Sequence, residues 1–134
     1  MKHFTLDKHM TATLGGAFYP TGHSVVMFPD AQDASRVGHQ LIEDGFSGDE
    51  VYLIPPHILL EQITPTIHES DSPLPSAGTD AATVRAYTQL AREGHTALMV
   101  RTKDEATAER LMVHVRQVPY SIAQRYRTLV IEDL

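Results

Sequence analysis

The chain contains no cysteine and no tryptophan. Without a thiol it forms no disulfide, holds no metal through sulfur and carries no cysteine nucleophile. Long apolar runs are missing as well. The opening MKHFTLDKHMTATLGG has no apolar core of signal-peptide length, and no stretch approaches the roughly 20 apolar residues of a membrane span. A cytoplasmic protein with no membrane partner is expected. Positive charge is scarce: 11 Lys and Arg stand against 17 Asp and Glu, a net charge of −6. General nucleic-acid binding relies on a basic surface and is disfavoured. The phosphate-binding patterns GxxxxGK[ST] and GxGxxG are absent, as are the GxSxG elbow and the HExxH zinc motif.

What is present describes an ordinary globular chain. Its 134 residues, 42% hydrophobic and 21% charged, suffice for a single domain with a sizeable core. The charge is unevenly spread. Residues 1–84 balance to −8 and residues 85–127 to +4. Such a division reads either as solvated faces or as an anion-binding patch or charge-complementary dimer contact.

Along the chain, residues 1–21 form an arm or edge segment containing Phe4, Leu6, Met10 and Leu14. Residues 24–28 make an apolar strand that ends at Pro29. Asp30 then caps a helix with a stripe of Ala34, Val37 and Leu41, which Gly45 ends. Val51–Ile54 is the second strand. Residues 55–78 hold five prolines and read mostly as loop, with one helical turn over 58–63. Thr79 reads as the cap of an inserted helix bearing Val84, Tyr87 and Ala91, closed by Gly94. A third strand covers 96–100. Thr102 and Glu105 match the T-x-x-E capping box of a helix whose apolar face is Ala108, Leu111, Met112 and Val115. Residues 126–131 make the final strand.

Two segments are near copies. GHSVVMF at 22–28 is matched by GHTALMV at 94–100, 72 positions later, and each leads through a helix to another strand. A doubled βαβ unit predicts an α+β, ferredoxin-like fold. It divides as an arm (1–21), a first unit (22–54), a proline-rich loop (55–78) and an inserted helix with the second unit (79–134). A small parallel α/β sheet in three layers is the alternative. The strands SVVMF, VYLI, TALMV and TLVI are apolar on both faces, so something must cover each side. A second subunit, the 79–93 helix or the arm could cover the second face; a homodimer joined through that face is the favoured expectation.

Eight histidines are present. His23 and His95 open equivalent strands. In the ferredoxin-like plan these strands run antiparallel, so about 20 Å separates the two residues and they share no metal. No metal and no cofactor is expected. Asp30 and Asp33 read as helix-start residues, and no pair of carboxylates stands out as catalytic. The segment Arg101-Thr102-Lys103 offers two cations, a hydroxyl and the amides of a helix start, a set suited to phosphate or carboxylate. Arg125 and Arg127 share one strand face with Leu129 and Ile131 and can recognise anions through forked hydrogen bonds. They equally suit the guarding of an edge strand.

SVVMFPDAQDASRVGHQLIEDGFSGDEVYLI and AYTQLAREGHTALMVRTKDEATAERLMVHV together resemble the general stress protein 17M-like, or heat-induced stress protein, domains of bacteria. The likeness covers 23–54 and 84–131. A strand leads into an alanine-containing helix, a GF turn and a strand, with Tyr87, Gly94 and Ala106 at matching places in the second half. Members often carry a glycine-rich apolar middle, where this chain has its proline-rich stretch. The resemblance implies a role around stress responses, without established chemistry or functional residues. The expected function is non-enzymatic, through dimerisation or binding. A module sensing a small anion is the alternative, with an enzyme using His and carboxylates third.

Overall fold

The computed structural model describes residues 1–13, 15–67 and 75–134, apart from the side chains of 75–79. Leu14 and residues 68–74 of the expected loop lie outside the described residues. The elements are β1 (Lys2–His3), β2 (His23–Phe28), α1 (Ala31–Glu43), β3 (Val51–Ile54), α2 (Pro56–Ile58), α3 (Pro75–Arg92), β4 (Thr96–Arg101), α4 (Glu105–Val115), β5 (Ile122–Arg127) and β6 (Val130–Asp133). Together they make a mixed α+β fold around one sheet of order β1-β3-β4-β2-β5-β6. β2 lies between β4 and β5 and is antiparallel to both. β3 is antiparallel to β4, and β6 to β5; only the two-residue β1 pairs in parallel, with β3. The parallel three-layer alternative is therefore corrected. β4 inserts between β2 and β3, so the strands that a helix joins in parallel are never neighbours.

Local chemistry explains most boundaries. Asp30 caps α1, its carboxylate accepting from the Gln32 amide at 2.7 Å. Ala34, Val37 and Leu41 are buried along that helix, as their spacing predicts. On α4 the buried face is Ala108, Leu111, Met112 and Val115. Gly22 and Gly94, the shared start of the two copies, both have positive φ, at 82° and 93°. Glycine takes that conformation without steric cost as the chain turns into a strand.

Four expectations need correction. Residues 56–66 are helical throughout: α2 continues into a π-turn at Leu59–Ile63 and a 3₁₀ turn at Thr64–Thr66. Pro56 and Pro65 sit in first turns, where the missing N–H is not needed. Thr79 lies inside α3, which already begins at Pro75. Asp104, not Thr102, caps α4, accepting from the Thr107 amide at 2.8 Å. The final strand is two strands. β5 ends at Arg127, and a turn through Thr128 and Leu129 returns the chain as β6. Leu129 takes φ 86° there, a conformation its side chain gives no hint of.

Each sheet face has its own core. Val26, Phe28, Leu98 and Val100 pack under α1 and α4 with Val37, Leu41, Leu111 and Val115. The opposite face, with Val25, Met27, Ala97 and Met99, is covered by Phe4, Met10 and Phe18 of the arm, Leu59 and Ile63 of the 56–66 segment, and Val84, Tyr87 and Ala91 of α3. The chain thus covers both faces itself. The homodimer expected through a bare sheet face is corrected accordingly: that face is occupied. Phe18 is central to this cover. It is fully buried, lies edge-on to Phe4 and Tyr126 at 6.1 Å each, and its amide donates to Thr66 Oγ1 at 2.9 Å.

Between α1 and α4, Asp44 accepts from His114 Nε2 at 3.2 Å and stands 3.6 Å from Arg110. The His114 hydrogen bond, with Arg110 beside it, holds the Asp44 carboxyl below its ordinary value. A depressed carboxyl contributes stability above its unfolded pKa and loses it as pH falls through the folded one. Asp44→Asn is expected to lower the urea midpoint near neutrality, with the gap from wild type closing as pH falls below about 4. A gap unchanged by that acidification would contradict the clamp. Phe18→Ala is expected to destabilise the fold by about 3–5 kcal/mol, as for other buried phenylalanines; a loss under about 1 kcal/mol in urea unfolding would show that the arm is dispensable.

Candidate functional site

The register of β2 decides what meets at its start. Because β4 and β5 both run against β2, their carboxyl-terminal ends lie on either side of its first residues. His23 faces Arg101 across one ladder, and Ser24 faces Arg125 across the other. Backbone bonds then pin the corner: Thr102 N donates to Gly22 O, and Gly22 N to Tyr126 O, each at 2.9 Å. An open cavity of about 410 Å³ forms there, lined by Thr21, Gly22, Thr102, Lys103, Arg125, Tyr126, Arg127, Thr128 and Val130.

Two segments that the sequence offers as separate anion candidates thus become one site. Thr102, Lys103, Arg125 and Arg127 all line the cavity. Arg101 does not. Strand alternation sends it to the opposite face, where its Nε lies 3.9 Å from Glu50. The expected pairing of Arg125 and Arg127 with Leu129 and Ile131 on one strand face is also corrected, since Leu129 is in the turn and Ile131 on β6. Thr21, Gly22, Thr128 and Val130 were not singled out in the sequence. The duplicated glycine marks one of them; nothing in the residue pattern marks the hairpin.

Arg125 is the unusual group. It is only 9% exposed, yet its one ion pair among the described residues is to Glu132, with Nη1 3.7 Å from Oε1. That is too long for a hydrogen bond. Glu132 is shared, since its other oxygen lies 3.5 Å from Arg127 Nη1. The third cation, Lys103, forms no ion pair among the described residues and enters from the β4 side. Asp104 stands close by, but its carboxylate is committed to the Thr107 amide and hydroxyl at 2.8 and 2.7 Å. Those bonds, aided by the fields of Lys103 and Arg125, hold it below the ordinary aspartate value. A capping amide expected to be free for an anion is therefore already occupied. Thr102 Oγ1 is fully buried and 2.7 Å from Ser24 Oγ.

The histidines lie elsewhere. His23 and His95 are at opposite ends of the antiparallel β2–β4 pair. Burial lowers the His23 pKa below its ordinary value. His95 is buried, with Nε2 2.8 Å from Ser121 Oγ and a buried Nδ1 that has no partner among the described residues. Among the described residues no carboxylate orients this pair as a nucleophile–base couple would need, and it ties the start of β4 to the start of β5. The chain matches no protein-family model, no curated protein and no solved structure.

Thr102→Val removes one half of a buried hydroxyl pair and leaves Ser24 Oγ without a partner. Chemical unfolding is expected to register a loss of about 1–3 kcal/mol. A neutral effect would mean that this bond does not hold the cavity floor.

Proposed function

We propose that the chain is a non-enzymatic binding module for a small anion, held in the cavity between the ends of β4 and β5. The observation that carries this reading is Arg125: an arginine only 9% exposed that lines the cavity, whose ion-pair partner among the described residues is a shared carboxylate beyond hydrogen-bond distance. Glu132 is too far to hydrogen-bond this guanidinium, and a ligand oxygen in the cavity would supply charge-assisted bonds that the carboxylate does not. Lys103 and Arg127 reinforce it from two sides. The volume of about 410 Å³ falls within the roughly 300–1,000 Å³ of small-molecule sites. Among the described residues no histidine lines the cavity, which favours binding over acid–base chemistry.

We further infer that the scaffold is a ferredoxin-like one built from two βαβ units, β2-α1-β3 and β4-α4-β5. The order β3-β4-β2-β5 supports it, as do the antiparallel central pair and the two helices on one face. In such a pseudo-symmetric sheet the ends of β4 and β5 necessarily flank the start of β2. Binding at that corner is thus compatible with duplication without requiring a second subunit.

Thermal unfolding with inorganic phosphate tests the reading. At 100 times its Kd, phosphate should stabilise the protein by about 2.7 kcal/mol. Arg125→Gln should abolish the shift, and Arg36→Gln, on the exposed face of α1, should preserve it. Equal phosphate stabilisation in both variants would refute the site.

A further inference from the structure

Resting on the anion-binding reading, we infer that the occupant is a phosphate monoester of a small polyhydroxylated molecule, a sugar phosphate, and not a nucleotide or a simple carboxylate. The cations come from two directions, Lys103 from the end of β4 and Arg125 with Arg127 from β5. A planar carboxylate presents two oxygens in one plane, both of which a single arginine fork can engage. A phosphate monoester presents three terminal oxygens and can answer all three cations at once.

The rest of the lining fits the organic part. Thr21 and Thr128, both exposed, line the same space with hydroxyl-bearing side chains. Thr102 lines it too, but its hydroxyl is buried against Ser24 and holds the cavity floor. Among the described residues the cavity has no open aromatic face. Its single aromatic residue, Tyr126, is 1% exposed and turned to the other core. There its ring lies edge-on to Tyr19 at 4.9 Å and Phe18 at 6.1 Å, and its hydroxyl donates to Tyr87 at 3.0 Å. A nucleobase, which binds by stacking on such rings, would find only Val130 as an apolar side chain. Glu132 stands behind the two arginines and competes with the ligand for them.

Isothermal titration calorimetry of the full chain at fixed ionic strength separates the possibilities. The probes are inorganic phosphate, glycerol 3-phosphate, ribose 5-phosphate, glucose 6-phosphate, AMP, citrate and glucose. At least one sugar phosphate should bind about tenfold or more tightly than inorganic phosphate, AMP and citrate, and glucose alone should not bind. The double variant Thr21→Val, Thr128→Val should narrow the gap between that sugar phosphate and inorganic phosphate. Glu132→Gln should tighten phosphate binding by removing the internal competitor. AMP or citrate matching the best sugar phosphate would overturn the assignment of ligand class. Inorganic phosphate binding as tightly as every sugar phosphate would overturn it too, while leaving the anion site standing. Absence of binding by every anion would defeat both.

Discussion

The pairing of β2 with β4 is the constraint on which the rest of this molecule depends. From Val25 to Phe28, and from Ala97 to Val100, these strands carry only apolar side chains, so both faces of the sheet centre must be dry. Two helices cover one face, as in any two-layer α+β fold. The other is covered by three pieces with little in common: an irregular arm, a proline-started helical run and the long α3. Burial of apolar area, at about 25 cal/mol per Å², drives all three onto the sheet. Phe18 and Tyr87 show how they interlock. Phe18 packs against Tyr126 while its amide binds Thr66, and the Tyr87 hydroxyl donates to Gln124 at 2.9 Å. Burial pushes the Tyr87 and Tyr126 hydroxyls well above the ordinary tyrosine value, so both remain protonated donors.

The candidate site is a by-product of the same pairing. A central strand with antiparallel neighbours on both sides collects two carboxyl-terminal strand ends at its own start. In this chain those ends carry the positive charge that the first 84 residues lack. Ser24, in the middle of the corner, is paired to Thr102 through its hydroxyl and to Arg125 through the ladder. One small residue therefore joins both halves of the cavity wall. The hairpin to β6 adds Thr128, Val130 and the shared counter-ion Glu132.

Much of the α+β framework was legible in the residues, because it rests on local chemistry. Asp30 announces α1, the stripes of α1 and α4 are periodic, and three apolar runs mark β2, β3 and β4. The two-sided apolarity of those runs correctly demands a second cover, but their pattern cannot say whether that cover lies in the same chain. That depended on Phe4, Met10 and Phe18, which sit in a stretch without periodicity. The 56–66 run was read mostly as loop because prolines break helices in their interiors; here they begin them. Thr102 and Asp104 both suit a cap, and the buried Ser24 hydroxyl, 78 positions away, claims the first. The β5–β6 hairpin was hidden because Leu129 is no ordinary marker of positive φ. Of the five candidate site residues, four line one cavity, yet their convergence required the register of β2, which no local pattern encodes.

The most direct test of this account is to map inorganic phosphate onto the backbone by ¹H–¹⁵N NMR. Titration should move the amides of Thr21, Gly22, Thr102, Lys103 and Arg125 through Thr128 together, with one binding curve, while those of α1 and of the 56–66 run stay still. Shifts that centre on the Asp30 or Pro75 helix starts, or that are scattered over the surface without saturation, would contradict it.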